Sequence, residues 1–368
     1  MNNKLIVCFY NHERIPKRGT GLRPIVEIFK KRGITCTYSD REVEPDVYIF
    51  ENRMCDTKYK KPSIVRAQTL LTSKDVKTNT FDQGSAMVFN SKWLQTIYHN
   101  TYKAKHQREW IIPPCYVTSS HERRQSVSVE KEQNIYCLSK WWKRPYKRLP
   151  LIATAFNYLN TNLGHINAKL HVIGWLSDSA MPYFDTFPKL QRPSRKILKN
   201  KNIIFHNKTF SYETMDARLS NAHLLVHLSP VDNSPKCVME ALGRKIPVLI
   251  SNNNGAVEWL QVVGERGGHI LNLDPVTKSF DEIQKLIPEL NFDFRKKIFS
   301  KRGQIVGAVY RYYKYYRLCK SVNNYKLVAH HMKKILDDYA SYQFELPYKY
   351  TPEGVADKWL EVIHSVQI

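Results

Sequence analysis

The chain has 368 residues, which is too long for one small core and indicates about two domains. Hydrophobic residues make up 42% and charged residues 24%, a globular composition that excludes a wholly disordered chain. Lys and Arg total 57 against 33 Asp and Glu, so the formal net charge is +24 and the expected partner is anionic: nucleic acid, a nucleotide diphosphate or a membrane surface.

The seven cysteines indicate the cellular compartment. Their number is odd and no two are spaced as Cys-x-x-Cys, so neither a disulfide framework nor a zinc site is expected. No run approaches the roughly 18 apolar residues of a spanning helix, and the first residues lack the apolar segment of a signal peptide. We therefore expect a soluble cytoplasmic protein, with peripheral contact to an anionic membrane or nucleic acid left open.

The first part of the chain alternates between predicted strands and helices. Strands are predicted at residues 4–10, 34–38, 46–50, 86–90 and 109–112, and helices at 22–32 and 92–102. Gly33 suits the end of the first helix, and Ser91 suits the N-cap of the second. This order predicts a parallel, doubly wound sheet, so residues 1–117 are expected to form a Rossmann-like domain.

The alternation of predicted strands and helices stops after residue 117 and resumes at residue 134. Residues 118–133 are polar and charged and are interpreted as a linker. Strands are predicted at residues 134–138, 168–173, 201–205, 222–228, 246–250 and 269–273, and helices at 149–159, 214–220 and from 238 onwards. Residues 134–340 are therefore predicted to form a second α/β domain. A final helix at 351–366 is expected to pack back on the first domain.

Two acidic residues, Asp232 and Glu240, bracket a predicted loop that turns into a helix. Open α/β sheets bind ligands beyond the carboxyl ends of their strands, and this loop follows the predicted strand at 222–228. Helix N-terminal N–H groups can face a phosphate, and carboxylates accept hydrogen bonds from sugar hydroxyls. Spacing alone is equally compatible with an N-cap aspartate and a solvated glutamate.

Two lysines frame a second candidate site. Lys140 closes the predicted strand at 134–138, and Lys147 precedes the helix at 149–159. Two cations at the mouth of such a crevice can neutralise a leaving nucleotide diphosphate. Because Lys143, Arg144 and Arg148 crowd the same segment, a solvated basic loop is the alternative interpretation.

These motifs together resemble glycosyltransferase group 1 (family 4). That family's donor-site signature has two acidic residues flanking seven others, as Asp232 and Glu240 do, and its cation pair is similar to Lys140 and Lys147. The resemblance covers residues 134–275, and residues 1–115 only in architecture. Its further matches are Glu240-Ala241-Leu242-Gly243, Ile246-Pro247-Val248, Asn254-Gly255-Ala256-Val257-Glu258 and the turn Val88-Phe89-Asn90-Ser91-Lys92-Trp93.

The resemblance implies a GT-B fold, in which two Rossmann-like domains face a crevice, and a sugar transfer from a nucleotide-diphosphate donor to an acceptor hydroxyl. It implies that the reaction retains configuration, with no metal and no cofactor beyond the donor substrate. The acceptor is left open among glycans, lipid-linked glycans, proteins and DNA. The implied catalytic residues are Asp232, Lys140 and Lys147, and the implied substrate-binding residues are Glu240, Gly19, Gly21, Ser234, Lys236, Gly255 and Ala256.

The chain departs from the family pattern at three places. Asp232 replaces a glutamate, Ser234-Pro235-Lys236 replaces Gly-Phe-Gly, and Lys140 replaces an arginine. Pro235 lacks an N–H that could reach a phosphate, and Lys140 lacks the bidentate geometry of arginine. The departures fit either a divergent or a degenerate enzyme.

Two basic segments support a competing hypothesis. Residues 309–317 alternate cations with tyrosines, and residues 295–302 carry five cations. Aromatic rings stack on bases and cations hold phosphates, so this chain could bind nucleic acid on an α/β scaffold. An amphipathic helix with solvated cations explains the same pattern. The two hypotheses merge in a glycosyltransferase that modifies DNA.

Overall fold

The computed structural model describes residues 5–10, 21–39, 43–51, 61–67, 84–102, 105–116, 132–141, 147–175, 200–286 and 324–367. Strands and helices are numbered below in chain order within these ranges. They form two six-stranded sheets, each with helices packed against it.

The first sheet is parallel throughout, in the order β2-β1-β3-β4-β5-β6. Its strands are β1 (Ile6–Phe9), β2 (Thr35–Thr37), β3 (Val47–Glu51), β4 (Ser63–Ala67), β5 (Ala86–Phe89) and β6 (Glu109–Ile111). Helix α1 (Arg23–Lys31) connects β1 to β2, and α2 (Lys92–Tyr102) connects β5 to β6. Gly33 follows α1 with φ +80°, a backbone conformation that glycine adopts without strain.

Strand β4 was not predicted from the sequence. Ser63 and Arg66 interrupt its short apolar run, yet all five of its residues are buried. The Arg66 side chain is 1% exposed, and its Nε donates to Asn90 Oδ1 at 3.1 Å. The hydrogen bond allows the guanidinium to be buried in the sheet.

The second sheet is also parallel, in the order β12-β11-β10-β7-β8-β9. Its strands are β7 (Gln133–Trp141), β8 (Ala168–Trp175), β9 (Ile203–His206), β10 (Leu224–His227), β11 (Val248–Ser251) and β12 (Gly268–Leu271). Its helices are α3 (Leu149–Asn162), α4 (Tyr212–Leu219), α5 (Lys236–Gly243), α6 (Val257–Val263), α7 (Phe280–Leu286) and α8 (Asn324–Asp337). The strand order reverses direction between β7 and β10, the position at which doubly wound sheets bind their ligands.

The final helix, α9 (Pro352–Gln367), returns to the first domain. Its buried face, which includes Val355, Trp359 and Ile363, shares a core with Val7 of β1 and Phe29 of α1. Both the two-sheet architecture and this return helix were predicted from the sequence, and the structure confirms them.

Several predicted features lie outside the described residues. They are most of the linker predicted at 118–133 and the basic segments at 295–302 and 309–317, so the domain boundaries at 117 and 340 stay predictions. In the ranges that the structure describes, no helix is both long enough and apolar enough to span a bilayer.

Candidate functional site

A pocket of about 790 Å³ lies beyond the carboxyl ends of β7, β8 and β10, where the strand order reverses. Its volume falls in the range of about 300–1,000 Å³ that is typical of small-molecule sites. The residues that line it are Leu138, Ser139, Lys147, Ile173, Gly174, Thr209, Phe210, Met215, His227, Asp232, Asn233, Ser234, Pro235, Lys236, Cys237 and Glu240.

Asp232 lies in this pocket between two basic groups. Its Oδ2 accepts from Lys147 Nζ at 2.8 Å and lies 3.2 Å from His227 Nε2. Burial would raise the pKa of Asp232, but the Lys147 ammonium and the His227 imidazole outweigh it and hold that pKa well below its usual range. Asp232 is therefore ionised across the physiological range.

His227 ends β10 and is 5% exposed. Its Nδ1 lies 3.7 Å from Cys237 Sγ at the start of α5. Burial lowers the pKa of His227, although Asp232 opposes that shift, and burial raises the pKa of the Cys237 thiol. Both groups are thus neutral at pH 7. His227 was not predicted from the sequence, where its only signal is its position at the end of an apolar strand, five residues before Asp232.

An ion pair fixes the backbone that presents Lys147. The next residue, Arg148, has φ 56° in the left-handed region, an unusual conformation for a residue other than glycine. Its guanidinium forms a buried ion pair with Asp274, which follows β12. We infer that this pair holds the start of α3 so that Lys147 faces the pocket.

Glu240 also lines the pocket, on α5. The sequence predicted a helix from residue 238 onwards; in the structure α5 begins two residues earlier, at Lys236, so Glu240 lies about one turn into the helix. The helix starts early because Pro235 occupies its N-cap, where the missing N–H costs no helical hydrogen bond. Burial raises the pKa of Glu240, while Arg244 and Lys236 lower it. Among the described residues, no hydrogen bond reaches the Glu240 carboxylate, so this group can accept hydroxyl donors.

Gly255 and Ala256 were predicted to line the site, and neither is among the described residues that line this pocket. Gly255 N donates to Asp232 O at 2.8 Å, and Ala256 is fully buried at the N-cap of α6. A Cβ on Gly255 would lie 1.9 Å from Asn233 O. Both residues therefore support the loop that carries Asp232 from behind, and neither is part of the pocket surface.

The first domain contacts this same loop. Ser91 Oγ donates to Asn233 O at 2.7 Å and accepts from Leu94 N at 3.2 Å, so Ser91 caps α2 as predicted. Asn90 Nδ2 donates to Ser234 Oγ at 3.2 Å. The pocket was expected between the domains, but the described residues that line it all belong to the second domain.

The remaining predicted residues are placed as follows. Ser234 and Lys236 line the pocket. Gly21 is buried near Pro114 and Arg66, whereas Gly19 lies outside the described residues. Lys140 lies in β7, and its side chain is not among those described. Within the described ranges, no group of three or more His, Cys, Asp or Glu side chains could hold a metal ion.

Residues 120–266, which include most of the pocket, match the family model described as glycosyl transferases group 1. A sequence search finds no match among curated proteins.

Solved structures with the same two-domain architecture include a glycosyltransferase from Rickettsia africae ESF-5, with TM-score 0.54, 10% identity and 99% of each chain covered. The Anabaena Alr3699/HepE protein in complex with UDP has TM-score 0.53 and 11% identity, with 98% of this chain and 100% of that chain covered. WaaG, a glycosyltransferase involved in lipopolysaccharide biosynthesis, has TM-score 0.53 and 11% identity, with 96% and 99% covered. The chain spans only 53% of the matched chain of the GtfA/B complex. At these identities the comparisons establish a shared fold.

Proposed function

We propose that this chain, which has a GT-B fold and whose residues 120–266 match the group 1 family model, is a glycosyltransferase that transfers a hexose or pentose from a nucleoside diphosphate to an acceptor hydroxyl. The observation that carries the proposal is the pocket at the reversal point of the second sheet. It brings together Lys147 with Asp232 and Glu240, residues that two separate sequence motifs had singled out.

The charges in the pocket suggest how the donor lies. Lys147, two residues before α3, is proposed to hold the diphosphate, and the family resemblance proposes Lys140, a residue of β7, as the second cation. Asp232 contacts Lys147 directly, so a sugar attached to that diphosphate would lie beside the Asp232 carboxylate. Lys236, at the first position of α5, adds positive charge on the same side.

Glu240 and the aromatic ring of Phe210, which both line the pocket, are suited to bind the nucleoside. Glu240 presents a carboxylate that can accept from two ribose hydroxyls, each such bond contributing about 1.5–3 kcal/mol. Thr209, Phe210 and Met215 also line the pocket, and a base can pack against them. The Arg218 guanidinium lies 4.4 Å from the centroid of the Phe210 ring and holds that ring in place.

We further propose that the transfer retains configuration and proceeds without a metal ion. The proposal that configuration is retained rests on the family resemblance. The second part rests on Lys147 and Lys140, because chain cations beside the diphosphate can neutralise the leaving group as a divalent ion otherwise would. Activity that is unchanged by EDTA is the expected result.

The net charge of +24 supports a second candidate for the acceptor side. An anionic acceptor or surface, such as DNA or an anionic membrane, would be attracted by this charge. Binding of DNA that weakens steeply with salt and is unaffected by nucleotide sugars would favour a nucleic-acid-binding protein over the enzyme.

A donor screen tests the proposal. UDP-, GDP-, ADP- and dTDP-glucose should be compared for the rise in unfolding temperature that they cause, because a ligand that binds only the folded state stabilises it. At least one should stabilise the chain, and its nucleoside diphosphate should be released when acceptors are added. If no nucleotide sugar stabilises the protein, the proposed function is wrong.

A further inference from the structure

Two basic groups contact the same oxygen of Asp232. Lys147 Nζ lies 2.8 Å from Oδ2, and His227 Nε2 lies 3.2 Å from it. The lysine and aspartate side chains are 16% and 18% exposed, whereas the histidine side chain is 6% exposed. His227 is thus the more buried partner of the carboxylate and Lys147 the more exposed one, and both line the pocket.

The position of the proton on His227 follows from its neighbours. The protonated Cys237 thiol, 3.7 Å from Nδ1, can donate its S–H to that nitrogen. Neutral His227 then carries its own proton on Nε2, facing Asp232. In this state Lys147 is the positively charged partner of Asp232, and His227 is its neutral partner.

Few other groups act on His227 within the described residues. Two charges affect its pKa: Asp232 in the loop raises it, and Lys147, just before α3, lowers it. Helix α5 contributes the neutral Cys237 and, near that thiol, Glu240; Cys137 of β7, whose pKa burial raises, interacts with the Cys237 thiol. An anion that binds Lys147 therefore offsets the positive charge that lowers the pKa of His227, so that pKa rises.

We propose that His227 takes up a proton when the donor's diphosphate binds Lys147, and that the imidazolium then replaces Lys147 as the counter-charge of Asp232. This inference rests on the proposed function. The diphosphate is a dianion, and Lys147 can turn to it by rotating its side chain. The proton comes from solvent and binds Nδ1, where the Cys237 sulfur changes from donor to acceptor.

The exchange would keep Asp232 ionised while the donor is bound. A carboxylate beside a dianion in a partly buried site is destabilised by like charge. A protonated His227 compensates for this at the Asp232 carboxylate. His227 is thus a positioning residue that acts through Asp232 by setting the charge and orientation of that carboxylate.

Calorimetric titration in buffers of different ionisation enthalpy measures the proton directly. The titrant is UDP-glucose, or whichever of GDP-, ADP- or dTDP-glucose stabilises the protein most. Near neutral pH the wild type should take up roughly half a proton to one proton per bound donor. His227→Gln, which keeps an N–H toward Asp232 but does not titrate, should bind without uptake. His364→Gln, at an exposed position on α9, is the control and should behave as wild type.

Each other outcome would overturn the inference. Donor binding by the wild type without proton uptake would contradict it while leaving the proposed function intact. Uptake that persists in His227→Gln, or that disappears in Glu240→Gln but not in His227→Gln, would assign the proton to another group. Failure of all four nucleotide sugars to bind the wild type would refute the proposed function as well.

A second measurement needs no variant. Linked proton uptake requires that wild-type donor affinity falls as pH rises through the pKa of His227 in the complex, by up to about tenfold per pH unit. An affinity that stays constant between about pH 6 and pH 8 would contradict the inference, even if His227→Gln did not fold.

Discussion

At the level of single residues, the pocket is built around paired charges. Lys147 pairs with Asp232, and the next residue in the chain, the buried Arg148, pairs with Asp274. Arg244 binds Asp216 and also donates to the backbone oxygen of Glu240. These pairs set the positions of the side chains that line the pocket. They also mean that Lys147 must divide its charge between Asp232 and a bound diphosphate.

Two substitutions separate the roles in the Lys147–Asp232 pair. Asp232→Asn releases Lys147 to the diphosphate, so donor affinity should be unchanged or up to about tenfold tighter, while transfer falls by more than about a hundredfold. Lys147→Ala removes the phosphate contact, so donor affinity should fall by roughly ten- to a hundredfold. Calorimetry and initial rates measure the two effects. Donor affinity that falls equally in both variants would refute this division of roles.

At the level of elements, the loop that carries Asp232 is held from three sides. Strand β10 and helix α5 fix its two ends, and Gly255 N donates to Asp232 O from behind. Ser91, at the N-cap of α2, donates to Asn233 O from the first domain. The loop is therefore positioned by backbone contacts, which depend on how closely the neighbouring chains approach.

Gly255→Ala should disturb this loop. The added Cβ would meet Asn233 O at 1.9 Å and Ser91 Oγ at 2.6 Å, so the backbone must move. Donor affinity should fall at least about tenfold. Gly164→Ala is the matched control: its Cβ meets no atom within 4 Å, and it adds only left-handed backbone strain. Equal donor binding by the two variants would show that the loop tolerates the displacement.

At the scale of the whole molecule, the start of α2 joins the two domains. Glu258 of α6 accepts from Lys92 N at 2.8 Å, and Trp93 Nε1 donates to Asn253 Oδ1 at 3.2 Å. Burial raises the pKa of Glu258 to about 7, although the Lys92 N–H lowers it. The contact between the domains therefore includes a carboxyl group that titrates near neutral pH.

Stability should depend on pH through Glu258. Its pKa in the folded state lies above the ordinary value of about 4.5 for glutamate, so the folded chain binds the proton more tightly than the unfolded chain does. The resulting stability is complete below about pH 4.5 and is lost as pH rises through 7. The free energy of unfolding in urea should fall by about 1–3 kcal/mol more in wild type than in Glu258→Gln between about pH 5 and pH 8. Identical pH profiles would contradict the assignment.

Local signals explain what could be predicted. The Gly33 helix end, the Ser91 cap and the apolar face of α9 each depend on residues within a few positions of one another. Asp232 and Lys147 were found because the spacing of the motifs marks strand ends. Local sequence therefore predicted the architecture and five of the residues that line the pocket, namely Lys147, Asp232, Ser234, Lys236 and Glu240.

The features that were missed depend on contacts distant in sequence. Arg66 is buried in β4 because Asn90, 24 residues later, accepts its hydrogen bond. Gly255 supports the Asp232 loop only because the chain brings Asn233 against it. His227 becomes notable only when Asp232 and Cys237 surround it. No periodicity or motif spacing reports such contacts.

The most direct test of a nucleotide-sugar site in this pocket is calorimetric titration of Glu240→Gln with the donor identified in the screen. The substitution keeps the shape of the side chain and removes its charge, so donor affinity should fall by roughly ten- to a hundredfold, about 1.4–2.8 kcal/mol. Glu361→Gln, at an exposed position on α9, should bind the donor as wild type does. Thermal unfolding should be similar for all three proteins. Unchanged donor affinity in Glu240→Gln would show that the ribose does not bind at α5 and would contradict the account.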